Sequence, residues 1–131
     1  MLILPIKRNW LEMIRSGEKK EEYRSISPYY AIRFLNYAAK TKALKKMSEM
    51  GLKGMPFKDI VLRAGYRKDA PAIKISGQIT VGSGRPEWGA VPGEEYYVLH
   101  IEEVEDLITD ARSRNYDSRR KEGEESTGTQ V

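Results

Sequence analysis

Ser16-Gly17-Glu18-Lys19-Lys20-Glu21-Glu22-Tyr23-Arg24 is the point at which the chain changes character. Before it, from Lys7 to Ser16, Trp10, Met13 and Ile14 recur at i, i+3 and i+4 while Arg8, Glu12 and Arg15 take the other side. That is the pattern of an amphipathic helix. Gly17 stands where the helix must stop, because a C-terminal cap takes left-handed backbone that glycine adopts without strain. From Glu18 to Ile26 the chain reads as extended. Alternation on a strand puts Lys20, Glu22 and Arg24 on one side and Glu21 and Tyr23 on the other. Lys19 joins Glu22 only if the chain is still turning after Gly17. If it is, an ammonium, a carboxylate and a guanidinium point into one cleft.

Working outward, Leu2-Ile3-Leu4 with Ile6 is a short apolar run of the kind buried in a small sheet, with Pro5 weighing against regular pairing at that point. Ser27-Pro28 opens a second helix, serine at the cap and proline at the first turn. Ile32, Leu35, Ala38 and Ala39 lie at helical spacing there, followed by Leu44, Met47 and Met50. This run to Met50 is one long helix or two, with Thr41 near the break, and Lys45 to Pro56 reads as a linker rich in Gly and Pro. From Lys58 the pattern turns to strands. Ile60, Leu62, Ala64 and Tyr66 alternate with Val61, Arg63, Gly65 and Arg67; Arg67 to Pro71 is a turn; and Ile73, Ile75, Gly77, Ile79 and Val81 alternate with Lys74, Ser76, Gln78 and Thr80. Gly77 mid-strand signals a bulge or sharp bend. Gly82 to Gly93 is a Gly- and Pro-rich loop carrying Trp88, and Glu95 to Glu103 is a last strand. Beyond about Asp110 apolar residues vanish, so 111–131 is expected to be a disordered polar tail after one domain over 1–110.

The order strand, helix, strand, long helix and then three strands does not alternate as a doubly wound parallel sheet would. It predicts an α+β fold: a small mixed β-barrel with two or three helices packed around it. At 131 residues the chain suits one domain with a real core. Lys and Arg outnumber Asp and Glu 23 to 19, a mild basic excess compatible with a nucleic-acid or nucleotide partner. The absence of cysteine excludes disulfides, thiolate nucleophiles and Cys-based zinc sites, and with one histidine, His100, a His-based metal cluster has no ligands. No cofactor is called for. No apolar run approaches the roughly 20 residues of a membrane span, and the N-terminal run is followed by charge without a cleavage site. A cytoplasmic protein is the expected setting.

Gly17, Lys19, Glu22 and Arg24 stand in the spacing G-x-K-x-x-E-x-R, and with Ile6-Lys7, the Trp10 helix and the Tyr96-Tyr97-Val98-Leu99-His100-Ile101 strand they resemble the ASCH family, a branch of the PUA-like β-barrels. The resemblance covers roughly residues 2 to 105, with 39–58 as an elaboration. It implies a PUA-like barrel and a motif-lined cleft that binds RNA or a nucleotide. Some small ASCH proteins are amidohydrolases of N4-acetylcytidine that use the motif lysine, a threonine and a distant glutamate. Lys19 matches that lysine, and Glu22 stands at the threonine's position. Other members are associated with ribonuclease activity.

The ligand-binding set expected is therefore Lys7, Gly17, Lys19, Glu22, Arg24, Arg63 and Trp88, and for an enzyme Lys19 and Glu22 are the catalytic pair. Arg and Lys suit phosphate or carbonyl oxygens, and a glutamate accepts from a base amino group. Lys19 becomes a nucleophile or base if burial or neighbouring cations lower its pKa, whereas Glu22 would hold it charged. The bland alternative is a solvated, charge-paired strand. Trp88 is the better stacking candidate, Tyr29 and Tyr30 are expected to pack in the core, and Arg63 and Arg67 share a strand face. The Lys40–Lys46 cluster is either a solvated helix face or a phosphate contact. The expected partner is RNA or a (modified) nucleotide or nucleoside. A protein-interaction module is the remaining class, and the oligomeric state is open.

Overall fold

The computed structural model describes residues 1–39 and 54–108. The chain runs β1 (Leu2–Pro5), α1 (Arg8–Arg15), β2 (Glu21–Ser25), α2 (Pro28–Ala39), β3 (Met55–Arg63), β4 (Ala72–Gly82), a short 3-10 turn (Pro86–Trp88) and β5 (Tyr96–Ile108). The five strands form one curled half-barrel in the order β1-β3-β4-β5-β2, so the α+β class with a small mixed sheet and two helices holds. β1 lies parallel to β3, and every other pair is antiparallel. No described helix is long and apolar enough to cross a membrane. The Lys40–Lys46 cluster, the possible second half of the long helix and the polar tail lie outside the described residues.

Alternation decides which strand residues face in. Leu2 and Leu4 of β1, Ile60 and Leu62 of β3, Ile73, Ile75 and Ile79 of β4, and Tyr97 and Leu99 of β5 are buried in one cluster. Removing such side chains from water is the main force on a sheet this small, at about 1.5–3 kcal/mol per large apolar side chain. β5 continues beyond Glu103 to Ile108 because it pairs along the whole of β4. β3 starts at Met55, not Lys58, so Met55 and Pro56 belong to the sheet and not to a linker. The strand ends at Arg63, and Tyr66 stands in solvent on the turn that follows. The pairing shifts register between Ser76 and Gly77, a bulge at the expected glycine, where a Cβ would run into the carbonyl of His100.

α1 turns the expected face inward, widened to take in Leu11, whereas α2 presents a different one. On α1 the fully buried residues are Leu11 and Ile14, with Trp10 and Met13 half-buried beside them. On α2 they are Phe34, Tyr37 and Ala38, while Ile32 and Leu35 are exposed. Both α2 stripes are apolar, and the aromatic one buries more area. Phe34 packs edge-on against Tyr97 at 5.2 Å, and the Tyr37 hydroxyl donates to Asp59 Oδ1 at 2.6 Å. Tyr30 is half-buried, but Tyr29 is exposed, its ring edge-on to Tyr30 and beneath the Arg33 guanidinium.

The half-barrel leaves its two edge strands, β1 and β2, without a strand ladder between them. α2 lies across this gap. Arg33 donates to the Ile3 carbonyl at 2.8 Å, and Tyr30 meets Arg24 of β2 through its hydroxyl at 3.4 Å.

Candidate functional site

The geometric condition on Lys19 is met. Gly17 takes φ +89°, and the Lys19 amide donates back to Met13 O at 2.9 Å, so the chain is still folded under the end of α1 at that point. β2 begins two residues later. Lys19 therefore reaches the side of Glu22 and Arg24 without obeying the strand alternation.

The three motif side chains form one buried chain of charge. Lys19 is 1% exposed, Glu22 7% and Arg24 8%. Lys19 Nζ lies 3.1 Å from Glu22 Oε1, and Glu22 Oε2 accepts from Arg24 Nη2 at 2.8 Å. The solvated strand is thus excluded for these three. The Lys19 ammonium also donates to the backbone carbonyls of Glu21 at 2.6 Å and Trp88 at 2.9 Å, so its three protons have three acceptors. It also stands over the rings of Tyr23 at 4.9 Å and Trp10 at 5.2 Å, placed for cation–π attraction. Burial pushes the Lys19 pKa below the ordinary lysine value, and the Glu22 charge opposes that shift.

Arg24 carries the chain to the far edge of the sheet. Its Nη2 donates to the Pro5 carbonyl at the end of β1 at 2.7 Å, and its Nε is buried without a hydrogen-bond partner among the described residues. The motif thus clasps the last strand of the sheet order to the first. That bridge is a structural duty the sequence pattern alone does not reveal.

The other face of β2 is open and differently furnished. Glu21 Oε1 accepts from the Tyr23 hydroxyl at 2.8 Å, and Glu21 Oε2 lies 3.5 Å from His100 Nδ1 on β5. The other His100 nitrogen, Nε2, is 2.8 Å from Thr80 Oγ1, so His100 has partners, as a strand histidine should. Burial pushes the Tyr23 pKa well above the ordinary phenol value. The loop 83–95 is strapped over Tyr23 and Trp10: the Arg85 amide donates to Tyr23 Oη at 2.9 Å, Gly84 leaves no room for a Cβ against the Tyr23 ring, and Gly89 at φ +105° sits over the Trp10 indole.

Beside this strap is a hollow of about 490 Å³ lined by Lys20, Glu21, Arg85, Trp88, His100 and Ile101. That volume is within the range of small-ligand sites. The Arg85 guanidinium lies 4.9 Å from the Trp88 ring centroid. Arg85 is also paired with Glu87 at 3.1 Å in an exposed contact, and the Lys20 ammonium has no ion pair among the described residues.

Of the expected ligand-binding residues, the structure brings Trp88 into this hollow and Lys19, Glu22 and Arg24 together behind it. Gly17 serves as the helix stop. Lys7 is an exposed residue at the start of α1 and does not line the hollow. Arg63 closes β3 beside Pro5, two strands away from β5, and Arg67 pairs with Asp69 on the following turn, so neither lines it. Lys20, expected on the side of Glu22, instead joins Glu21, because regular alternation starts only at Glu21. Glu21, Arg85 and His100 as a group escape sequence reasoning: the alternation separates Glu21 from Glu22, but only the β2–β5 register sets Glu21 opposite His100.

No family model, curated protein or solved structure matches the chain.

Proposed function

We propose that this is an ASCH-type module that binds RNA or a nucleotide, with the ligand seated in the hollow beside Trp88 and the buried Lys19, Glu22 and Arg24 supporting it from behind. The observation that carries this reading is the convergence in one hollow of a guanidinium–indole stack, an ammonium with no ion pair among the described residues and a glutamate–histidine pair. A nucleobase stacks on aromatic rings and on guanidinium planes alike, so the Arg85–Trp88 stack is a ready platform. Lys20 and Arg85 supply two positive charges for a phosphate, Arg85 sharing its charge with Glu87 through an exposed pair that a phosphate can displace, and Glu21 is the carboxylate that lines the hollow. Glu21 and His100 offer hydrogen-bonding groups to a base edge.

The test is titration of the protein with CMP, AMP and short single-stranded RNA, followed by tryptophan fluorescence. Trp88→Ala should weaken binding by roughly 5- to 150-fold, the equivalent of about 1–3 kcal/mol of stacking, and Lys20→Ala should reduce its salt dependence. Absence of binding at millimolar ligand, or equal affinity in wild type and Trp88→Ala, refutes the proposal.

A hydrolase centred on Lys19 and Glu22 is the second reading, favoured by the burial that lowers the Lys19 pKa. It draws less support from the geometry, since every Lys19 proton is held by an acceptor and both side chains are withdrawn from solvent. Release of acetate from N4-acetylcytidine by wild type, lost in Lys19→Ala, would bring it to the front.

A further inference from the structure

We infer that Lys19 is a positioning residue for Trp88: it holds the strap over the hollow by its backbone and does not meet the ligand itself. The inference rests on the reading of the hollow as a nucleotide site.

The strap is knotted on itself at its tip. Trp88 N donates to Arg85 O at 3.0 Å, Gly89 N to Pro86 O at 3.0 Å and Ala90 N to Arg85 O at 3.1 Å, so residues 85–90 move as one knuckle. What fixes the knuckle to the body is a small set of outside bonds. Among the described residues these are Lys19 Nζ to Trp88 O and Arg85 N to Tyr23 Oη, with Val91 N to Tyr96 Oη on the residue that follows the knuckle. Only the first has a charged donor, and charge-assisted hydrogen bonds are roughly twice as strong as neutral ones. It is also the one placed on the residue whose side chain forms the platform.

The bond is directed as well as strong. Lys19 is itself immobilised by Glu22, by the Glu21 carbonyl and by the rings of Trp10 and Tyr23. Gly89, next to Trp88, rests on the same Trp10 ring, so strap and ammonium share one floor. A residue so enclosed cannot swing out to a ligand in the hollow. It can set the angle at which the Trp88 backbone leaves the wall, and hence where the indole stands.

The experiment compares wild type with Lys19→Met by backbone and indole {1H}-15N heteronuclear NOE, with amides of β3 and β4 as internal reference. Expected are reduced values for residues 85–90 and for the Trp88 indole N–H, unchanged values in β3 and β4, and about tenfold weaker CMP binding. Unchanged values across the knuckle overturn the inference, as does a loosened knuckle with wild-type CMP affinity. If wild type binds neither CMP nor RNA, the nucleotide reading falls, and the indole measurement alone decides whether Lys19 holds Trp88. Should Lys19→Met not fold, wild type still answers: a protected Lys19 ammonium signal with a cross-peak to the Gly89 amide is expected, and an ammonium exchanging as freely as an exposed lysine refutes it.

Discussion

Replacing Glu22 by glutamine should be among the most damaging isosteric changes this domain can receive. The side chain keeps its volume, so no cavity opens. What is lost is the negative charge between two buried cations, 3.1 Å from Lys19 Nζ and 2.8 Å from Arg24 Nη2. At an effective dielectric of about 20, each contact represents a gross attraction of about 5–6 kcal/mol. Most of it is offset by the cost of drying the ions, and the net penalty of breaking a buried pair is about 3–5 kcal/mol. For a domain of this size a loss of 1 kcal/mol moves Tm by about 3–4 °C, so Glu22→Gln should melt roughly 10–20 °C lower. The assay is urea unfolding at pH 7, preferred to guanidinium because an ionic denaturant would screen the very charges in question. Glu18→Gln, an exposed carboxylate on the same turn, is the control and should stay within about 0.5 kcal/mol of wild type. Adding Arg24→Met to Glu22→Gln removes the surplus cation, so the double variant should lose about 1–3 kcal/mol less than the sum of the singles. A loss below about 1 kcal/mol for Glu22→Gln would refute the reasoning, for it would mean that the triad is well hydrated.

Gly77→Ala should cost at least about 3 kcal/mol, more than ordinary overpacking, because the new methyl meets the His100 carbonyl and not a side chain that can rotate away; unfolding curves would show it, and a near-neutral result would place the bulge elsewhere. Alkaline pH should reveal two opposed effects. The folded-state pKa of Tyr23 is raised by burial, so above about pH 10 the unfolded chain sheds a proton that the native protein keeps, and stability falls as pH rises. The folded-state pKa of Lys19 is lowered by burial, so in the window below the ordinary lysine value the unfolded chain holds the extra proton, and stability rises with pH there. Tyr23→Phe should flatten the fall above pH 10 in a series of urea melts; an unaltered slope would argue against a buried phenol.

Much of the fold is legible in the chain because its signals are local. The Trp10 helix, the Gly17 stop, the Ser27-Pro28 start and the clean alternation from Ile73 to Val81 each need only neighbouring residues to be read. What escapes is set by tertiary choice. α2 is apolar on two sides, and whether Ile32 and Leu35 or Phe34 and Tyr37 face inward depends on Tyr97 and Asp59, far along the chain. The motif's grouping was readable only as a condition, since Gly17 marks the helix stop but only the Lys19 amide bond back to Met13 shows that the chain is still turning there. The motif's burial was not readable, because nothing near Arg24 announces that Pro5 lies within reach. Nor does spacing show that Lys20, Glu21, Arg85, Trp88 and His100 share a hollow. That group comes from three separate parts of the chain, and only the antiparallel register of β2 with β5 and the strap above it draws them together.

The strand order also dictates a schedule. Leu2 pairs with Ile60, 58 residues later (60 − 2), and Glu22 pairs with Leu99, 77 residues later (99 − 22). A growing polypeptide leaving the ribosome therefore carries its first strand unmated until the third has been made, and β2 with its motif charges unmated until the fifth has been made. Contacts so distant in sequence slow the search for the native state. Closure of the half-barrel is therefore a late event, and a product truncated ahead of Tyr96 would leave β4 and β2 without the strand they share, their edges open to aggregation.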